Sequence, residues 1–247
     1  MKVAIVGYGH VGKATELLLK ELGTKVVRHD PPQGIVLEEW DDVQYAFICV
    51  PTPTTESGKL DISIVKEAVD AVPEHVHTII RCTMGPDQVE EFNKHQVSFW
   101  PEFIRENHVM TDLGSIDVPS MVGSLTLQSH EFVGLLRDYG LNTTVVQPKE
   151  AMMVKVMINT FLAMKIGFAN DMWVIAKAHD LKPSRVFELA QLDKRMGDYG
   201  WQVPGEDGKF GFGGACLPKD SKHMLTLRPP SKLLQSIQDY DHSKQKL

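Results

Sequence analysis

Val3-Ala4-Ile5-Val6-Gly7-Tyr8-Gly9-His10-Val11-Gly12 is the stretch on which the fold turns. Its four leading apolar residues suit a strand buried on both faces. A GxGxxG turn follows at once, and then Val11, Ala14, Leu17, Leu18 and Leu22 recur on one helical face. Gly23 ends that helix. Residues 25–29 read as a second strand, which closes on Asp30. Strand, glycine turn, helix, strand and acid together are the setting in which this motif binds a dinucleotide. Gly7 permits the turn, Gly9 lets a pyrophosphate approach and Gly12 packs helix on strand. Tyr8, His10 and Val11 complete the stretch that leads into a helix N-terminus facing the phosphates. Asp30 comes about 20 residues after the turn, where a carboxylate accepts ribose hydroxyls. It would repel a 2′-phosphate, so NAD is expected in preference to NADP; Arg28, two residues earlier, is the one feature that speaks for NADP.

Outward from this unit the alternation continues. Residues 45–50 read as a strand ending in Pro51-Thr52-Pro53, and residues 62–72 have helical spacing. Residues 78–83 form another strand, running into Cys82-Thr83-Met84-Gly85-Pro86, with a helix expected over 87–94. A strand over 97–100 leads to Pro101-Glu102-Phe103; strands over 120–124 and 143–147 flank a helix over 128–139. Strands alternating with helices predict an α/β fold with a doubly wound, Rossmann-type parallel sheet over residues 1–148. Ligands of such sheets sit beyond the carboxyl ends of the strands. Pro51, Thr52, Thr83 and Glu102 all fall there.

The second half, residues 149–247, reads as an all-helical domain. Residues 150–180 contain no proline, and Ala151, Val154, Met157, Ile158, Phe161, Leu162, Ile166 and Ala169 keep a helical period. Such a helix is roughly 45 Å long, a spine between two domains or the face of a dimer. Lys155 and Asn159, four apart, share one side of it. Pro183 opens a further helix over 184–192, and Arg195 follows it. Residues 208–220 read GKFGFGGACLPKD. Pro218 suits a first helical turn, which puts Cys216 just before a helix N-terminus with Lys219 nearby, both features that favour a nucleophile. Asp220 falls in the same first turn.

The totals narrow the classes. The chain has 247 residues, 43% hydrophobic and 23% charged, enough for one large domain or two modest ones. A net charge of −6 argues against a nucleic-acid surface. Three scattered cysteines make no disulfide framework and suit a reducing compartment. Met1-Lys2 run straight into the first strand without a signal peptide. No run reads as long enough to span a bilayer. A cytoplasmic protein with no membrane partner and no metal site is expected.

With these residues in place, the chain resembles the UDP-glucose/GDP-mannose dehydrogenase family, the nucleotide-sugar 6-dehydrogenases. The resemblance rests on GYGHVG, on CVPTP at 49–53, CTMGP at 82–86 and PEFIRE at 101–106, on KVMINTFLAMKIGFAND at 155–171 and on GFGGACLPKD at 211–220. It implies oxidation of a sugar C6 alcohol to a carboxylate with two NAD. It also implies a role for each matching residue. Cys216 would capture the aldehyde as a thiohemiacetal and pass through a thioester. Lys155 and Asn159 would steady the oxyanion, and Asp220 would act with a water in proton transfer. Glu102 would be the acid/base of thioester hydrolysis, and Thr83 would orient water and cofactor. Phe103, Ile104, Phe210 and Gly213 would line the substrate, and Arg195 would reach the nucleotide sugar of the partner in a homodimer.

The family carries a third, nucleotide-covering domain for which this sequence has no counterpart; residues 231–247 match the helix that ends the family's central domain. Met152, Met153 and Asn107 depart from the family pattern without touching a catalytic position. Three readings follow. One is an active nucleotide-sugar dehydrogenase, whose partner could supply the third domain. Another is a dimeric NAD-binding protein without turnover that regulates or complements a full-length relative. The last is a simpler hydroxyacid dehydrogenase, in which Cys216 would be unreactive.

Overall fold

The computed structural model describes residues 1–92, 97–104, 119–124, 129–227 and 232–241. The chain forms two compact units. The first comprises Met1–Pro53 with Leu60–Lys155; the second comprises Thr54–Lys59 with Val156–Leu247.

In the first unit β1 (Lys2–Val6), α1 (His10–Glu21), β2 (Lys25–His29), β3 (Tyr45–Ile48), α2 (Ser63–Asp70), β4 (His77–Ile80) and β5 (Val97–Phe99) follow in order. They are succeeded by β6 (Ser120–Gly123), α3 (Ser129–Asp138) and β7 (Thr143–Val146). The seven strands lie in the order β2-β1-β3-β4-β5-β6-β7. Strand pleating sends alternate residues to opposite faces. Ala4, Val6, Ala46, Ile48 and Ile80 meet Val65 and Val69 of α2 on one side. Val3, Ile5, Tyr45, Phe47 and Ile79 meet Leu18 and Leu19 of α1 and Phe132, Val133 and Leu136 of α3 on the other. Burial on both faces explains why these strands are continuous apolar runs.

Two expectations for this unit need correction. The sheet is not wholly parallel: β5 and β6 pair antiparallel, through Phe99 and Gly123, while β6 and β7 are parallel to each other. A parallel neighbour requires a crossover, usually helical, and the alternation reading has no helix between these two strands. The helix expected over 87–94 is a short 3₁₀ turn at Val89–Phe92; residues 93 and 94 lie outside the described residues, as do Arg105, Glu106, Asn107, Gln128 and Ser231.

One helix, α4 (Pro148–Ala178), enters the first unit at its start and continues in the second. Gly123 lets its first turn lie close on β6: a Cβ there would be 2.7 Å from the Cα of Pro148. Met152 belongs to the core of the first unit, and Ala163 and Ala169 to the two cores of the second. By length and composition α4 could cross a membrane, which corrects the expectation that no run is long enough; its inward positions pack in protein cores.

The second unit continues with α5 (Pro183–Ala190), α6 (Leu217–Met224) and α7 (Lys232–Ile237). Phe212 and Ile237 pack beside Ala163, and Phe187 and Trp201 beside Ala169. Tyr240 lies over Gly167, where a Cβ would come 2.8 Å from its ring, and its hydroxyl donates to Asp171 at 2.5 Å.

Candidate active site

In the first unit the glycine turn lies between β1 and β3, where the chain switches from building one side of the sheet to the other. Such switch points open a crevice at the carboxyl ends of the strands. Gly7 has φ +88° and donates its N–H to His29 O at 2.9 Å. A Cβ on Gly12 would come 2.2 Å from Gly7 O, whereas one on Gly9 would meet nothing within 4 Å. The turn is therefore closed on the protein side and open on the other. Gly9 caps α1 without a side-chain hydrogen bond, and the first turn carries no acid, so its N–H groups face outward for an anion. Tyr8 N–H donates to Asp30 Oδ2 at 2.6 Å, and Gln33 Nε2 donates to the same oxygen at 2.7 Å. This fixes the acid of β2 against the glycine turn. The turn leaves its outer side open at Gly9, with an oriented carboxylate at its edge, and it fits NAD. Arg28 does not reach for a phosphate: its Nη2 binds Glu16 Oε1 at 2.7 Å, and its Nε lies within 3.2 Å of both Glu16 oxygens.

The neighbouring strand ends come together as expected. Cys82 Sγ donates to Ile48 O at 3.2 Å and to Val50 O at 3.1 Å, tying the loop that bears Thr83 to the one that bears Pro51 and Thr52. Thr52 is buried, Thr83 half-buried and Pro51 exposed. Cys49 and Cys82 are buried, and burial pushes the Cys49 thiol up to about 11, so it is no nucleophile.

Glu102, one residue past the buried Pro101, is locked by partners that sequence reading missed. Its Oε1 accepts the backbone N–H groups of Phe103 and Ile104, each at 2.8 Å. Its Oε2 forms an ion pair with Arg81, whose side chain is 3% exposed. The Arg81 guanidinium lies over the Trp100 ring, 3.7 Å from its centroid. Burial draws its pKa down to about 10, against the pull of the Cys49 and Cys82 thiols. A signal for it is present in the sequence: Arg81 breaks the apolar stretch just past the end of β4, and a buried charge needs a partner. Lys155, also buried, has its ammonium 5.2 Å from the Phe103 ring centroid.

In the second unit Cys216 is the N-cap of α6, just before the helix as the GGACLPKD pattern predicts, and it is exposed. Asp220, in the first turn, is fully buried. Asn159 Nδ2 donates to its Oδ2 at 2.5 Å, and Lys219 Nζ to its Oδ1 at 2.6 Å. Lys219 thus serves the carboxylate rather than the thiol. The asparagine and aspartate, 61 positions apart in the chain, meet in one cluster. Gly208, Gly211 and Gly214 all have φ between +75° and +78°, a backbone region that favours glycine. Asn170 Oδ1 accepts Gly211 N–H at 2.9 Å, and Tyr240 O accepts Phe212 N–H at 2.9 Å, so the loop is tied down from two sides. Phe210 packs edge-on against Trp173, with ring centroids 5.0 Å apart, and Gly213 is half-buried. Arg195 is not drawn into the cluster. Its side chain is 89% exposed and forks onto Asp193, while Lys165 Nζ holds the carbonyl of the next residue, Met196, at 2.7 Å.

The comparisons agree with this geometry. Residues 33–135 match the NAD-binding domain, and residues 149–239 the central domain, of the UDP-glucose/GDP-mannose dehydrogenase family. The UDP-glucose 6-dehydrogenase of Streptococcus pneumoniae is 27% identical, over 91% of this chain and 68% of its own length. That of Campylobacter jejuni is 26% identical over 100% of this chain and 73% of its own. Among solved structures, the UDP-glucose dehydrogenase of Pyrobaculum islandicum superposes with a TM-score of 0.78 at 24% identity, over 97% of this chain and 68% of that one. With both domain models matched in order over most of its length, the chain belongs to the UDP-glucose/GDP-mannose dehydrogenase family, and its cofactor is NAD.

Proposed function

We propose that this chain oxidises the C6 alcohol of a nucleotide sugar, most naturally UDP-glucose, to the carboxylate through a covalent adduct on Cys216. The observation that supports this best is the buried Asp220, held by Asn159 and Lys219 in the first turn of the helix that the exposed Cys216 caps. A fully buried carboxylate is costly unless it is well paired; this one is paired, and it lies one helical turn after an accessible thiol. NAD would supply the oxidising power, two molecules in succession each taking one hydride, the first as the alcohol loses its proton to water and becomes the aldehyde.

The chain's own residues do the rest. The Cys216 sulfur adds to the carbonyl carbon of the intermediate aldehyde, and a proton goes to the oxygen, giving a thiohemiacetal. Loss of hydride from that carbon leaves a thioester. Water then adds, the C–S bond breaks, and the carboxylate and free thiol result. Asn159 carries two N–H donors; Asp220 takes one, which leaves the second for the oxyanion, shared with the Lys155 ammonium. Asp220 and a water move the proton, and Glu102 serves as acid/base in hydrolysis, with Thr83 orienting the water. Phe103, Ile104, Phe210 and Gly213 line the sugar nucleotide.

The proposed setting is a cytoplasmic homodimer. On α4, Met153, Met157, Phe161, Phe168 and Ile175 are 41–54% exposed at helical spacing, a stripe that suits a second copy and lets Arg195 serve the partner's substrate.

The test is NADH formation with UDP-glucose, GDP-mannose and N-acetylated UDP sugars, beside Cys216→Ser. Two NADH per sugar, stalled in the variant, is the expected result. NADH binding without turnover on any sugar would overturn stand-alone activity and favour the non-catalytic, partner-regulating reading.

A further inference from the structure

Tyr8 joins two side chains at the ribose end of the dinucleotide turn. Its N–H donates to Asp30 Oδ2 at 2.6 Å, and its ring lies 4.3 Å from the guanidinium carbon of Arg28. An arginine at this end of a Rossmann sheet is the group that accommodates a 2′-phosphate. Arg28 is 41% exposed and of the right charge, yet it is engaged elsewhere. Glu16 of α1, with only 6% of its side chain exposed, takes Arg28 in a forked pair, accepts Lys20 at 2.8 Å and accepts the Tyr8 hydroxyl. A forked guanidinium–carboxylate pair fixes direction as well as charge. It points Arg28 back onto α1 and cancels its charge.

We propose that Glu16 is a specificity-determining residue: it withholds Arg28 from the ribose 2′ position, so that the choice of NAD over NADP rests on two carboxylates, Asp30 and Glu16. Asp30 excludes the 2′-phosphate directly. Glu16 removes the cation that would otherwise attract it. The inference concerns only the cofactor end of the first unit and stands whether or not the chain turns over a sugar.

The experiment measures dissociation constants for NADH and NADPH by nicotinamide fluorescence, on the full chain and on Asp30→Ser, Glu16→Gln and the double variant. Asp30→Ser is expected to weaken NADH about tenfold and to leave NADPH weak. Adding Glu16→Gln is expected to improve NADPH at least about tenfold over Asp30→Ser, and Arg28→Ala in that background to abolish the gain. Equal NADPH affinity in the double variant and Asp30→Ser would overturn the proposal and reduce the pair to a tie between α1 and β2. Should Glu16→Gln not fold, Asp30→Ser/Arg28→Ala decides: no change in NADPH affinity relative to Asp30→Ser supports a withheld arginine, and a loss overturns it.

Discussion

At the scale of single residues, buried charges carry the sharpest expectations. Arg81 and Glu102 are nearly sealed from water. Breaking such a pair from one side costs about 3–5 kcal/mol, because the survivor stays buried and uncompensated. Arg81→Met should lose stability of that order in urea denaturation, and Arg81→Met/Glu102→Gln should recover much of it. A loss under about 1 kcal/mol in the single variant would mean that water replaces the guanidinium. Glu16 gives a pH signature. Burial pushes its carboxyl up, but hydrogen bonds from Arg28, Lys20 and Tyr8 outweigh that and hold it at about 2 against an ordinary 4.5. A depressed carboxyl stabilises the fold above 4.5, and this contribution drains away as pH falls toward 2. Since Arg28 and Lys20 are solvent-exposed, screening reduces it to about 2 kcal/mol. Between pH 6 and pH 3 the natural chain should lose most of that, about 1.5 kcal/mol, more than Glu16→Gln does; equal losses would refute it. Residues of this kind were half legible in advance. Asp30 and Cys216 lie at positions that motif spacing predicts. Glu16 does not stand out in the sequence, because its importance comes from partners brought near by folding; Arg81 signals itself only by breaking an apolar stretch.

At the scale of elements, fit decides. A methyl group on Gly12 would overlap the carbonyl of Gly7, so Gly12→Ala should weaken NADH binding by on the order of a hundredfold while the helical signal in circular dichroism persists. On α4, if the exposed stripe is a dimer face, Phe161→Glu should shift the chain to monomer in light scattering without loss of helix. Hydrophobic period revealed α1, α2, α4 and the central strands, since each buries a face whose repeat is its own signature. It did not reveal the direction of β6, because a run of buried residues looks the same read either way along the sheet. The 3₁₀ turn at Val89–Phe92 reads as a helix because its apolar spacing fits either geometry.

At the scale of the whole molecule, the ordering of a dinucleotide unit before a helical one was readable from alternation giving way to a single long period. The reading of α4 as a spine agrees with its packing: although apolar enough by composition to cross a bilayer, it contributes to the core of the first unit and to both cores of the second. Its contacts with Asp220 carry the consequence. A buried carboxylate fixed by an amide and an ammonium is seldom the most stable filling for its volume; apolar groups of similar size often fold as well or better. Asn159→Leu/Lys219→Met/Asp220→Leu should therefore melt no lower than the natural chain and be inert toward any sugar, whereas Lys219→Met alone, which strands the carboxylate, should destabilise it. If so, the cluster adds nothing to folding that apolar side chains of the same volume would not supply.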